Sequence, residues 1–599
     1  MWWHGDEEFV GEEEEEKGGK DIRLIKSLAP YFKPYIKGII IATILLLLST
    51  LLTLIGPILI KRVLDYEIPQ KDIQGLVFIA FIYLVIQGLT ILIRYFQQIE
   101  IAMIGERAIA DLKFDLFRHT ITLPVKFFDK NPVGRLITRV EGDAETLKSL
   151  FSSTAVVLAQ DFILLLGMSV IMIVVDYRLY LLILILLPVF LYAFWWFGKN
   201  VRPIYVSVRK KIAEINSFIM ETVRALPVVQ IFLQEDNFLK KINTLGRDKF
   251  DLEMKSMLYW YRIWFLVDLG EIIGILLILG IGGIWALKGM ITIGTLFLFI
   301  NYITRFFNPL RGLSDQINLI ERSFAAAERI FNILSLPSEF EDNIEKSEFS
   351  ILNERIKFDD VRFSYENEDW VLKDLNFEIN KGEKIAFVGE TGGGKTSIVS
   401  LLLKYYKPNI GFISIDGIDL NKINRYTLRK KIGFVPQDVI LFPGTVLDNL
   451  RLFNNDISTE RVQEAARRIG IHERIQNLPK GYNTDIIEQG INLSFGERQL
   501  LSFARALVFD PEIIILDEAT SAVDPQSERI IQEGLKELLQ NRTAIIIAHR
   551  LTTTRLADRI LIIHNGRIVE QGSHNELLKK RGFYYNFYRL QYLQQKADK

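Results

Sequence analysis

The sequence predicts an α-helical membrane domain followed by an α/β domain, and three observations carry that prediction. First, 49% of the 599 residues are hydrophobic and the mean hydropathy is positive, too apolar for an ordinary soluble enzyme and too long for one core. Second, six apolar runs fill the first half, at residues 38–60, 75–97, 154–176, 178–200, 263–287 and 290–310. Each is long enough to cross a hydrocarbon layer of about 30 Å at about 1.5 Å per residue. Third, beyond residue 355 short β-rich runs alternate with helical patterns, as in a mostly parallel sheet covered by helices.

Composition excludes several classes. Lys plus Arg and Asp plus Glu both number 72, so the formal net charge is zero and no basic nucleic-acid surface is indicated. With no cysteine there are no disulfides, zinc–thiolate sites, iron–sulfur ligands or cysteine peptidase. The acidic N-terminus is not a cleavable signal peptide.

In chain order, residues 1–20 carry Glu12 to Glu16 beside Gly18 and Gly19 and read as a disordered acidic tail. Residues 21–37 alternate apolar and basic positions, which fits a helix lying at the membrane surface. The membrane domain covers 21–334. Links after the first, third and fifth spans are short, whereas those after the second and fourth run to about 55 and about 60 residues and are rich in Lys and Arg. Long basic links belong on the cytosolic side, which places both termini in the cytosol and the chain as a multi-pass protein of the cell (inner) membrane. Ile109, Leu112 and Leu116 fall at helical spacing, so the spans continue beyond the bilayer. Asn131-Pro132 with Gly134, and Leu226-Pro227, interrupt the two long links and mark tips. Residues 335–354 form a linker, and 355–595 the α/β domain.

That domain contains Gly389-Glu390-Thr391-Gly392-Gly393-Gly394-Lys395-Thr396, followed by Ser397. It fits G-x-x-x-x-G-K-[ST] between a strand-like run and a helical pattern, the context the motif requires. Glycines let backbone N–H groups close round a polyphosphate, Lys395 adds a full positive charge, and Thr396 is placed to ligate Mg²⁺. A glycine-rich turn with no ligand is the bland alternative. The buried run Ile513-Ile514-Ile515-Leu516 delivers Asp517, which would hold Mg²⁺ through water, and Glu518, a general base for attack on a γ-phosphate. Taken singly, Gln437 is a surface loop residue or a group touching metal and water. His549 is a structural strand-end histidine or a phosphate ligand. Ser494 reads as the N-cap of a helix over 500–507.

Order narrows these choices. Tyr365, the loop 389–396, Gln437, the segment 493–499, Asp517-Glu518, Ser521-Ala522-Val523-Asp524 and His549 follow the sequence of the adenine-stacking, Walker A, Q-loop, signature, Walker B, D-loop and switch-histidine motifs. The domain resembles an ATP-binding cassette, and residues 20–595 resemble a half-transporter of the ATP-binding cassette exporters. The resemblance implies that two chains sandwich two ATP molecules, each held by one chain's Walker A and the other's signature. It assigns Tyr365 to adenine, residues 389–397 with Lys395 to phosphates, Thr396, Gln437 and Asp517 to Mg²⁺, and Glu518, His549 and Gln437 to catalysis. Ser494, Gly496, Glu497 and Asp524 would face nucleotide across the dimer. The breaks at 131–136 and 225–227 resemble the coupling helices that dock on cassettes.

The signature departs from Leu-Ser-Gly-Gly-Gln: Phe495 stands for the first Gly and Glu497 for the Gln. An altered signature beside an intact Glu518 favours a heterodimer in which this chain supplies the catalytic Walker motifs, with a homodimeric lipid flippase as the alternative. Asp268 and Glu271, three residues apart in the fifth span, would attract cationic amphiphiles or pair with Arg305. An ATP-gated channel on the same scaffold would not need Glu518, and a soluble nucleic-acid ATPase would not need six spans.

Overall fold

The computed structural model describes residues 17–185, 187–339, 347–365, 369–390, 392–487, 490–517, 525–548 and 551–589. The chain divides into two compact units, Met1–Ile121 with Pro132–Leu336, and Thr122–Asn131 with Pro337–Lys599.

The first unit is helical. Lys17–Phe32 begins inside the expected tail and passes through the turn Lys33–Tyr35 into Ile36–Arg62. Ile73–Thr120, Ala155–Leu184, Leu187–Arg224, Glu235–Leu277 and Ile293–Leu334 follow. Ile73–Thr120 has 48 residues, hence about 72 Å of helix, more than twice the hydrocarbon thickness. Its start is fixed by Asp72, whose carboxylate accepts from the Gly75 amide at 3.0 Å. Among the described residues four helical stretches are long and apolar enough to cross a membrane: Lys26–Gln70, Ile73–Thr120, Leu136–Arg224 and Glu235–Leu287. The third holds two of the predicted runs, and the helix is broken between them at Asp176 (φ −160°, ψ 101°). There the side chain accepts from the Arg178 and Leu179 amides at 2.9 and 3.1 Å. The predicted run 290–310 lies in Ile293–Leu334 from residue 293 on and is not one of the four stretches.

Outward faces carry exposed Ile40, Ile44, Phe78, Phe81, Leu84 and Ile91, an apolar exterior suited to lipid. The core gathers Leu54, Met168, Met172, Leu179, Phe299 and Tyr302. The Tyr302 hydroxyl, fully buried, donates to the Leu54 carbonyl at 2.7 Å, so its polar end does not go unmet.

In the second unit the strands are β1 Arg355–Phe363, β2 Leu372–Asn380, β3 Lys384–Gly389, β4 Ile410–Ile415, β5 Ile418–Asp419 and β6 Ile432–Val435. They continue with β7 Gly444–Thr445, β8 Asp485–Ile486, β9 Ile513–Asp517, β10 Thr543–Ile547, β11 Arg559–His564 and β12 Arg567–Gly572. β2-β1-β4-β5 form an antiparallel sheet, and β12-β11-β3-β10-β9-β6 form the central one. Within the central sheet only the edge pair β11–β12 is antiparallel. Its inner strands are buried along their length because both faces are covered, as continuous Ile/Val/Leu runs require. Ile547 pairs with Phe387 on one side and Asp517 on the other, so β10 and β9 end together and β3 runs two residues further to Gly389.

Residues 122–131 belong with this unit although the chain returns to the first at Pro132. The short helix Val125–Lys130 lies in this segment. Its Asp129 accepts a short hydrogen bond from the Tyr406 hydroxyl, and the Thr122 carbonyl accepts from the Glu339 amide at 2.8 Å. The expected break at Asn131-Pro132 falls between this helix and the next, Val133–Thr138, and the chain passes from one unit to the other there. Glu339 is buried and takes a two-pronged pair from Arg429 at 2.9 and 3.0 Å, with Arg425 at 3.3 Å, which fixes the start of the linker.

Candidate nucleotide site

The loop leaving β3 is shaped by backbone constraints. Gly392 and Gly394 have φ of 81° and 100°, a region that residues with a Cβ rarely adopt. A Cβ at Gly394 would lie 2.6 Å from Leu372 Cδ2, and one at Gly389 would lie 2.1 Å from the Ile563 carbonyl oxygen. The glycines are thus required by both conformation and space. Helix Lys395–Leu402 starts directly from Gly394, which leaves its first amides without a side-chain cap and open to an anion.

Lys395 is 4% exposed and its Nζ donates to the carbonyls of Gly389 and Glu390 at 2.9 and 2.8 Å. Burial pushes its pKa down, and the nearby Asp517 carboxylate opposes that shift. Asp517, at the end of β9, is pushed up by burial and pulled back by Lys395. An ammonium folded onto its own loop, beside a desolvated carboxylate, is ready for a polyphosphate with a divalent cation. Among the described residues no group of three His, Cys, Asp or Glu could hold a metal alone. A divalent cation bound with substrate phosphates would be held by Thr396, which is exposed in the first turn of the helix, and by Asp517 at the end of β9.

Tyr365 sits at the rim, its hydroxyl 3.0 Å from that of Ser397 and its ring packed edge-on against Phe363 and Tyr406 at 4.8 and 4.9 Å. Tyr406 therefore touches both the Tyr365 ring and the helix Val125–Lys130. Burial and donation to Asp129 raise its pKa. Sequence reasoning missed Tyr406, Asp129, Glu339 and Arg429, since no local pattern ties residues so far apart.

Gln437, exposed just past β6, and Asp517 line one small pocket together with Phe495 and Gln499. Its volume of about 20 Å³ has room for one water, and the buried Gln499 Oε1 has no hydrogen-bond partner among the described residues. Ser494 is the N-cap, but the helix it caps is Phe495–Val508 rather than 500–507. Glu497 closes a capping box: its carboxylate accepts from the Ser494 amide and hydroxyl, both at 2.9 Å, while Ser494 Oγ accepts from the Glu497 amide at 3.3 Å. This box is what moves the helix start forward. Gly496 is buried in its first turn. Thr391, Glu518, Asp524 and His549 lie outside the described residues.

The family model for the ABC transporter transmembrane region matches residues 39–310, and that described as ABC transporter matches residues 372–521. The chain belongs to the ABC transporters. It is 34% identical to an ATP-dependent lipid A-core flippase of Syntrophus aciditrophicus over 97% of this chain and 96% of that protein. It is 33% identical to a probable multidrug resistance ABC transporter ATP-binding/permease protein of Bacillus subtilis over 88% of this chain and 78% of that one. The fold matches a bacterial Atm1-family ABC exporter solved with ATP bound, with a TM-score of 0.76 at 26% identity, covering 93% of this chain and 98% of that one. One membrane region and one cassette in a single chain make an ABC exporter half-transporter, whose ATPase activity is coupled to translocation.

Proposed function

We propose that this ABC half-transporter is one of two subunits that use ATP to move hydrophobic or amphipathic compounds, drugs or lipids, from the cytoplasm or inner leaflet by alternating access. The observation that carries the two-subunit reading is the arrangement of the cassette. Lys395 and Asp517 lie near each other at the carboxyl ends of β3 and β9, while the side chains of Ser494 and Glu497 are held by their capping box and, for Glu497, by Arg474 at 3.8 Å, away from the Lys395 loop. A second observation agrees. At the tip Leu226–Ile231 and just beyond it, Val228, Ile231, Phe232 and Leu233 are 55–81% exposed, an apolar knob suited to docking on a partner's cassette.

Phe495 and Glu497 favour a heterodimer. Here the Walker motifs of this chain, with Glu518 as base, His549 as switch and Asp524 across the interface, serve one site. Its own signature faces a weaker one. On this reading a signature carboxylate at Glu497, held on Ser494 and 3.8 Å from Arg474, would set a like charge towards the γ-phosphate of the second site. Six spans, with cassette and termini in the cytosol, complete the proposed topology. A stable dimer with full ATPase activity from this chain purified alone would overturn the heterodimer and leave the homodimeric flippase.

Asp268 and Glu271 are already engaged with other groups in the chain, and Arg305 donates to the Thr53 carbonyl at 3.4 Å.

A further inference from the structure

Thr53 in Ile36–Arg62 is the meeting point of two cationic side chains from two other helices. Arg94, in Ile73–Thr120, donates through Nη2 to Thr53 Oγ1 at 3.0 Å, and Arg305, in Ile293–Leu334, donates through Nη1 to the Thr53 carbonyl at 3.4 Å. Thr53 lies nine residues from Arg62 and sixteen from Lys37, hence about 13 Å and about 24 Å along the helix from the charges that flank this span. Arg94 and Arg305 themselves fall inside the predicted spans 75–97 and 290–310. Among the described residues neither has an ion pair, and Arg94 Nε is buried with no hydrogen-bond partner. Several acidic groups of the same unit are engaged elsewhere: Asp65 by Lys61, Thr292 and Gly294, Glu67 by Arg62, and Asp268 and Glu271 by partners of their own, while among the described residues neither Asp161 nor Glu100 hydrogen-bonds or ion-pairs with either arginine. Two converging positive charges without a counterion are costly in this medium and mark a place for an anion.

One heptad further along both helices the chemistry changes. Leu46 precedes Thr53 by seven residues and Ile101 follows Arg94 by seven, two turns on nearly the same helix faces. These two residues, with Phe32, Ala42, Ile104 and Phe151, line an apolar cavity of about 260 Å³. The spacing is about 10 Å.

We infer that Arg94 and Arg305 seat the negatively charged head of an amphiphilic cargo whose hydrocarbon chain occupies this cavity. The inference rests on the export reading above and names its substrate class as anionic, phosphate- or carboxylate-bearing amphiphiles in place of cationic ones.

The test uses the full-length chain in phosphatidylcholine nanodiscs without nucleotide, titrated by tryptophan fluorescence with dodecyl phosphate, dodecyl maltoside, dodecyltrimethylammonium and inorganic phosphate. Dodecyl phosphate should bind at least ~10-fold more tightly than the other two amphiphiles, and inorganic phosphate far more weakly than all three. Arg94→Gln and Arg305→Gln should each weaken dodecyl phosphate by ~10-fold and leave dodecyl maltoside within ~2-fold, with Arg94→Lys retaining most of the preference. Ala159→Phe, which fills the cavity, should weaken dodecyl phosphate but not inorganic phosphate. Equal affinity for the three headgroups, or preference for the ammonium, overturns the inference. Equal affinity for inorganic and dodecyl phosphate overturns its hydrocarbon half. Should a Gln variant fail to assemble, the headgroup ranking of the unaltered protein decides alone. No nucleotide is present, so a negative result here is distinct from a failure of ATP-driven transport.

Discussion

Tyr406→Phe deletes one hydroxyl from the contact that holds the helix Val125–Lys130 on the cassette. The ring keeps its edge-on packing with Phe363 and Tyr365 at 5.5 and 4.9 Å, so the rim of the nucleotide site keeps its shape. What is lost is a hydrogen bond to the Asp129 carboxylate, a class that contributes about 1.5–3 kcal/mol when shielded from water. Asp129 is exposed, so water takes over part of that bond and about 1 kcal/mol remains, a factor of about 5 in the docking equilibrium. The Glu339 amide still donates to the Thr122 carbonyl, so the segment loosens without detaching. Hydrogen exchange on the full-length protein should show the Phe127 and Asn131 amides, which bond to Pro124 and Phe127, exchanging about 5-fold faster. In proteoliposomes, cargo moved per ATP hydrolysed should fall while ATP affinity stays within about 2-fold. Unchanged exchange together with an unchanged transport-to-hydrolysis ratio would refute the role given to this contact.

Two further outcomes follow from charge and burial. Glu339→Gln leaves Arg425 and Arg429 facing a neutral group in a site where the Glu side chain is 7% exposed. That should cost about 2–3 kcal/mol and lower the cassette melting transition by roughly 5 °C or more, read by calorimetry on the full chain. Asp517→Asn acts in the opposite direction on stability. A carboxyl whose folded pKa is raised contributes stability below its unfolded pKa and loses it as pH rises through the folded value, so near neutrality the ionised Asp517 is a net cost. The variant should therefore melt above the unaltered protein at pH 7 in the absence of nucleotide, converge with it as pH falls towards 4, and lose the added stability conferred by Mg²⁺ and ATP.

Local chemistry made much of the cassette readable in advance. The glycines of 389–394, the capping residue Ser494 and the buried strand before Asp517 owe their conformations to neighbours a few residues away, and they form where the sequence places them. Boundaries set by pairings were less visible. Helix Phe495–Val508 starts five residues before the expected 500 because Glu497 closes a box with Ser494, so one residue both breaks the familiar signature and moves the helix start. Contacts that join distant residues could not be read at all. Tyr406 and Asp129 are 277 positions apart, Arg305 and Thr53 are 252 apart, and Arg429 and Glu339 are 90 apart. Periodicity predicts that a helix has an apolar face, but not which polar side chain on another helix will meet it.

The central claim is that ATP hydrolysis at the Lys395–Asp517 cradle, with Glu518 as base, drives cargo across the membrane. ATP-dependent uptake into inside-out vesicles carrying this chain with the second subunit proposed above, compared with the same vesicles carrying Glu518→Gln, tests it most directly. The account predicts sustained uptake with the unaltered chain, and ATP binding with uptake reduced to the background without nucleotide in the variant. Equal uptake by the two would contradict it.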